Sequence, residues 1–211
     1  TYITDNCRPY KIIYYNAFSA YTSMLERIKC SAEEFKKQFK VTNNAGNMLD
    51  IISKSNINCG DARKLKWIEN NSIDFVITSP PYLCAQDYIK TMRLINLFFP
   101  DERFNDLPNK EIGARARRRG KAVEVVRSFY NDMDDVLGEI RRLLKKNKYF
   151  CLVIGQGKGK ITEGYDTVKD IYNLAVKKHN FKKVYHTTRN INYKAVRVGG
   201  VDREEIIIFQ K

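Results

Sequence analysis

The chain has no apolar run approaching the roughly 18 residues that a membrane-spanning helix needs. No signal-peptide pattern opens it. Both absences weigh against a membrane partner. It has only two histidines, His179 and His186, and five scattered cysteines, Cys7, Cys30, Cys59, Cys84 and Cys151. No C-x-x-C pair occurs, and neither histidine lies near a cysteine cluster, so the pattern offers no structural zinc site and no metal is expected. An odd, dispersed set of cysteines reads as reduced thiols in a cytoplasm. No internal repeat or low-complexity linker interrupts the chain. The glycines of Gly155-Gln156-Gly157-Lys158-Gly159-Lys160 lack the spacing of a nucleotide P-loop, and read as a strand-to-helix turn.

What is present is a sequence able to fold and strongly basic. Its 211 residues are 43% hydrophobic, enough for one domain with a real core. Lys and Arg number 38 against 24 Asp and Glu, a net charge of +14. That excess favours a polyanionic partner, nucleic acid first, although charge alone also fits an anionic membrane surface or a ribosome. The charge is densest at Arg115, Arg117, Arg118, Arg119 and Lys121, with no acidic residue among them. A run of this kind is either a solvated face or a phosphate-contacting segment.

Hydrophobic periodicity orders the rest. Phe18, Tyr21, Met24, Leu25 and Ile28 give a helix over 17–40 one apolar face, and Ser31-Ala32-Glu33-Glu34 reads as a capping box at which a second helix restarts. Asn43 to Asn47 is a turn-rich break. Asn56 to Cys59 and Ile73 to Ile77 read as strands. Residues 87–99, carrying Tyr88, Met92, Leu94, Ile95 and Phe98, read as a helix, with Tyr88 in the core. The longest helical pattern runs over 122–146, with Val126, Phe129, Tyr130, Met133, Val136, Leu137, Ile140 and Leu144 facing inward. Tyr149 to Ile154 is the clearest buried strand, and 166–179 is a further helix. Lys183 to Thr188 and Glu204 to Phe209 close the chain as two strands. Strands alternate with helices, so the class is α/β. The division is a helical N-terminal segment, 1–54, followed by an α/β part, 55–211.

The most informative residues are Thr78-Ser79-Pro80-Pro81-Tyr82, directly after the apolar run 73–77. Ligands of open α/β sheets bind at the carboxyl ends of strands. A rigid Pro-Pro turn followed by an aromatic ring forms a wall for a flat ring, although prolines also simply terminate strands. These residues resemble motif IV of the S-adenosylmethionine-dependent amino-methyltransferases that act on nucleic acids. Members reading Ser-Pro-Pro-Tyr mostly methylate cytosine N4, and those reading Asp-Pro-Pro-Tyr mostly adenine N6. Asn58-Cys59-Gly60-Asp61-Ala62 resembles the family's cofactor-adenine segment.

The resemblance implies a Rossmann-like methyltransferase sheet with an antiparallel C-terminal edge. It implies S-adenosylmethionine as cofactor, DNA as partner and a flipped base as target. Ser79, Pro80, Pro81 and Tyr82 are then the catalytic set. Cys59, Gly60, Asp61, Ala62 and Thr78 adjoin the cofactor, and Arg115, Arg117, Arg118, Arg119 and Lys121 contact nucleic acid. Asp61 also reads as the N-cap of a helix beginning at Ala62, and both roles can hold together; Asp87 orients the loop or, the preferred reading, caps the next helix. Cys84 reads as a small apolar filler rather than a nucleophile. The family's Gly-rich Phe-x-Gly-x-Gly loop is absent, so the sheet is incomplete. The chain opens on Thr1 rather than Met, consistent with processing or trimming. The favoured expectation is a split enzyme of a prokaryotic restriction-modification system, in which a second polypeptide supplies that loop. Adenine N6 methylation, an RNA methyltransferase and a non-catalytic nucleic-acid-binding subunit are the alternatives.

Overall fold

The computed structural model describes residues 2–3, 9–11, 16–42, 54–84, 88–92, 96, 100, 110–113, 122–157, 162–191 and 201–211. Residues 1–4 and 8–59 form one compact unit, and 60–211 form the body of a second. In the first unit, β1 (Tyr2–Ile3) pairs antiparallel with β2 (Pro9–Lys11). A single helix, α1 (Ala17–Thr42), follows. Asn16 caps it, its Oδ1 accepting from the amides of Phe18 at 3.0 Å and Ser19 at 3.2 Å. The expected restart at Ser31 does not occur. The ladder runs through 31–34, so Ser31 has no orphan amides to cap. The stripe Phe18, Tyr21, Met24, Leu25 and Ile28 is exposed.

The strand expected at Asn56 to Cys59 is also absent; residues 55–60 form no regular element. Two asparagines in four residues favour local turns over a ladder, and Ile57 is 99% exposed.

The second unit is built on one mixed sheet. Its strands are β3 (Ile73–Thr78), β4 (Leu144–Gly155), β5 (Lys182–Asn190) and β6 (Arg203–Gln210), in the order β3-β4-β6-β5. β3 and β4 are parallel, whereas β6 runs antiparallel to both β4 and β5. This is the open α/β sheet with an antiparallel C-terminal edge that the sequence leads one to expect. The short helix α2 (Tyr88–Thr91) and the long α3 (Ala122–Leu143) lie between β3 and β4 in the chain.

The inward stripe of α3 is the expected one: Val126, Phe129, Met133, Val136, Leu137 and Ile140 are buried. The helical pattern overruns the helix because Leu144, fully buried, satisfies the helical period and yet belongs to β4, paired with Ile73. α4 (Thr167–Asn173) is capped by Asp166 and continues into a π-helical turn, Leu174–Lys178. The core lies between these helices and one face of the sheet, where Phe150 stacks on Phe209 at 5.1 Å and meets Phe181 at 5.2 Å.

The other face of the sheet is different. Register places Phe75 opposite Tyr149, and Ile77, Cys151, Ile208 and Tyr185 in one cross-strand row. Phe75 is 50% exposed and Ile77 70%. Among the described residues β3 is an outer strand, with β4 as its neighbour on one side. Among those same residues, no helix is long and apolar enough to cross a membrane, and no three metal-ligating side chains cluster.

Candidate active site at the carboxyl end of β3

The parallel pairing of β3 with β4 brings two carboxyl ends together. Thr78 ends β3, and the chain turns through Ser79, Pro80, Pro81 and Tyr82 into buried Leu83 and Cys84. Pro80 is buried and Ser79 exposed. Cys84 takes φ +56°, a left-handed conformation uncommon outside glycine, and its amide donates to the Gly113 carbonyl at 3.0 Å. Its burial fits the filler reading.

The end of β4 passes against this loop because it carries glycines. A Cβ on Gly155 would come within 2.9 Å of Tyr82 Cε2 and 2.6 Å of Val201 Cγ1. One on Gly157 would come within 2.3 Å of the Leu83 carbonyl oxygen. The turn expected at these glycines is thus a close-packed seat for the Tyr82 loop.

Tyr82 is held from a strand more than a hundred positions away in the chain. Its hydroxyl donates to Glu204 Oε1 at 2.6 Å and lies 3.4 Å from Ser79 Oγ. The Arg189 guanidinium from β5 caps the same carboxylate, with Nε 3.0 Å from Oε2 and a second contact through its terminal nitrogen. Burial pushes the Tyr82 phenol up to about 12, and the Glu204 carboxylate adds to the shift. Burial also raises Glu204, but the Tyr82 hydrogen bond and Arg189 outweigh it, and the carboxyl stays below its ordinary value. Sequence reasoning missed both Glu204 and Arg189. The available signal was Glu204-Glu205, two acids opening an apolar strand; both are buried.

The segment after Cys59 is fastened to α3 by side chains rather than by a ladder. Arg63 pairs with Asp61 at 2.7 Å and with Asp132 at 2.6 Å. Glu139 Oε1 accepts from the Leu65 amide at 2.7 Å, and Arg142 donates to the Leu65 and Ile68 carbonyls at 3.0 Å and 2.9 Å. Asp61 is not a helix N-cap. No helix follows it; Oδ1 accepts from the Arg63 amide and the Asp61 carbonyl accepts from Lys64, each at 2.9 Å, closing a turn. The side-chain hydrogen bond from Arg63 holds the Asp61 carboxyl below the usual carboxylate range. The Trp67 ring lies on the Gly60 backbone, since a Cβ there would fall 2.0 Å from the ring.

The structure therefore gathers Ser79, Pro80, Pro81 and Tyr82 with Gly155, Arg189 and Glu204. Gly60 and Asp61 contact Trp67 and Arg63, and Cys59 and Ala62 are exposed. Tyr88, expected in the core, is 45% exposed. Its amide donates to Glu111 Oε1 at 2.7 Å, a capping contact at the start of α2. Asp87 and the basic run Arg115, Arg117, Arg118, Arg119 and Lys121 lie outside the described residues.

No protein-family model matches the chain. It is 30% identical over 117 residues to the type II methyltransferase M.MjaI of Methanocaldococcus jannaschii, a match covering 54% of this chain and 36% of that protein. The chain thus spans about a third of that relative's length. A solved structure from Thermus thermophilus, assigned as a DNA modification methylase and complexed with S-adenosyl-L-methionine, is 19% identical with a TM-score of 0.44, over 72% of this chain and 53% of that one. The cytosine-N4-specific PvuII DNA methyltransferase is 14% identical with a TM-score of 0.40, over 72% and 47%. The relative from Methanocaldococcus is a methyltransferase.

Proposed function

We propose that this chain is the catalytic part of an S-adenosylmethionine-dependent DNA amino-methyltransferase, with cytosine N4 as the target. The observation that carries the reading is the Ser79-Pro80-Pro81-Tyr82 turn at the carboxyl end of β3, with its tyrosine anchored by Glu204. The exocyclic amine of a nucleobase is a weak nucleophile because its lone pair is delocalised into the ring. Ser79 Oγ, exposed, and the Pro80 carbonyl accept the amine's hydrogens and localise that lone pair. The following proline stiffens the direction of the Pro80 carbonyl. Tyr82 provides a face for the base, which must leave the duplex to reach it. The alignment of amine and methyl donor is the main catalytic contribution.

The residues present fit the adenine end of the cofactor. Asp61 is ionised and 45% exposed at its side chain, so it can accept from an adenine amine beside Gly60 and Ala62. When bound, the cofactor supplies an electrophilic methyl group. The described residues offer no glycine loop to cradle its remainder, and a second polypeptide supplies it. Support for that partner comes from β3, an outer strand among the described residues, whose exposed Phe75 and Ile77 leave apolar surface for it to cover. The setting is a prokaryotic cytoplasm and a restriction-modification system.

Mass spectrometry of nucleosides from DNA treated with the chain, its partner and S-adenosylmethionine tests the reading. N4-methylcytosine is the expected product. N6-methyladenine moves the target, methylation confined to RNA moves the substrate, and no transfer leaves a binding subunit. Calorimetry on the chain alone tests the partner: micromolar cofactor binding without it overturns the split arrangement.

A further inference from the structure

We propose that Glu204 is a positioning residue that sets the direction of a hydrogen-bond chain, so that Ser79 meets the substrate amine as an acceptor. The inference rests on the reading of Ser79 to Tyr82 as the base site. It follows from counting protons. Glu204, ionised and paired with Arg189, can only accept. Tyr82 has a single hydroxyl proton, and at 2.6 Å that proton belongs to the bond with Glu204. The phenol oxygen then has only lone pairs to offer Ser79, whose Oγ lies 3.4 Å away. The Ser79 proton is drawn toward Tyr82, and the Ser79 lone pairs are left facing outward from an exposed side chain.

The direction matters chemically. A serine that donates its proton to the amine nitrogen ties up the lone pair needed for attack. A serine that accepts from the amine frees it. Neutral phenols and hydroxyls choose no direction by themselves; a fixed carboxylate does. Glu204 is suited to this because it is buried, at 8% exposure, and lies opposite Gly155 and Arg189 in the ladder. The ring it holds is pinned from below by Gly155. On the other face of β6, Glu205 is separately engaged by His186 at 2.7 Å and Arg203 at 2.8 Å. Among the described residues, Tyr82 and Arg189 are therefore the protic and charged groups that meet Glu204, and Ser79 meets Tyr82.

The experiment is Glu204→Gln in the full chain with its partner. The amide keeps the shape but can donate to the phenol oxygen, releasing the Tyr82 proton toward Ser79. The kcat for methyl transfer should fall on the order of 10²-fold, the cost of misaligned reacting groups, with KM for DNA unchanged. Arg189→Met, at an exposed side chain that leaves the core intact, should lower kcat in the same sense by less. A readout free of activity is the titration of Tyr82 in the chain alone, followed by the tyrosine ¹³Cζ resonance that Tyr82→Phe removes. It should titrate at about 12 in the parent and lower in Glu204→Gln. An unchanged titration, or a retained kcat once the titration has moved, overturns the proposal and leaves the methyltransferase reading standing. No transfer by the parent overturns that reading, and the proposal with it.

Discussion

The proposed site of a serine, two prolines and a tyrosine owes its geometry to what surrounds it. Tyr82 projects from a loop, yet its ring is fixed by a backbone without side chains at Gly155 and its hydroxyl by Glu204. Tyr82→Ala should therefore impair methyl transfer far more than duplex affinity, since it removes a stacking surface worth about 1–3 kcal/mol to the flipped base alone. Transfer rate and DNA affinity, measured side by side, check this; equal losses would leave Tyr82 a mere binding contact. Gly157 faces a harder obstacle than Gly155, because the atom in its way is the Leu83 carbonyl rather than a side-chain tip. Gly157→Ala should destabilise the unit by about 1–3 kcal/mol through overpacking, read as a lower denaturation midpoint.

α3 does two jobs with two faces. Its apolar stripe fills the core, and Asp132, Glu139 and Arg142 hold the irregular segment 61–70 in place. Those ties carry a pH signature. The Arg63 hydrogen bond keeps Asp61 below its ordinary 3.8, and Arg142 keeps Glu139 below its ordinary 4.5. Asp134 is raised by burial but lowered further by Lys178 and His179, for a net depression. Each carboxyl binds its proton less readily folded than unfolded, so the unfolded chain gains protons first as acid is added. Their stabilisation is complete above pH 4.5 and is lost as pH falls through the depressed folded values. Denaturant midpoints should be level from pH 7 down to about 5 and fall below 4.5, and Glu139→Gln should shallow that fall. A midpoint independent of pH over the acid range would remove these pairs from the stability of the unit.

At the scale of the molecule, a net charge of +14 favours a polyanionic partner. Replacing Arg115, Arg117, Arg118 and Arg119 by alanine together should weaken DNA binding and flatten its salt dependence. Each lost phosphate contact lowers the log-log slope by about 0.9, so four contacts lower it by roughly 3–4. A slope that does not move would assign the run to solvent or to the partner. The sheet makes the complementary demand: it covers one face with helices and leaves apolar side chains exposed on the other, at Phe75 and Ile77.

The sequence by itself determined the periodic elements and the position of the motif. Strand 73–77, the strand at Tyr149 to Ile154 and the stripe of α3 were legible from apolar runs and spacing, whereas the antiparallel pairing of the closing strands was legible only through the family resemblance. Sequence reasoning misread Asn56 to Cys59, the N-cap alternative for Asp61 and the burial of Tyr88, where no period constrains the chain and turn chemistry or exposure decides. The tertiary structure alone placed Glu204 against Tyr82 and Arg189 against Glu204, and turned two glycines into a seat for the Tyr82 loop. Strand pairing joins residues far apart in sequence, and a hydrogen bond made across that distance leaves no local pattern to read.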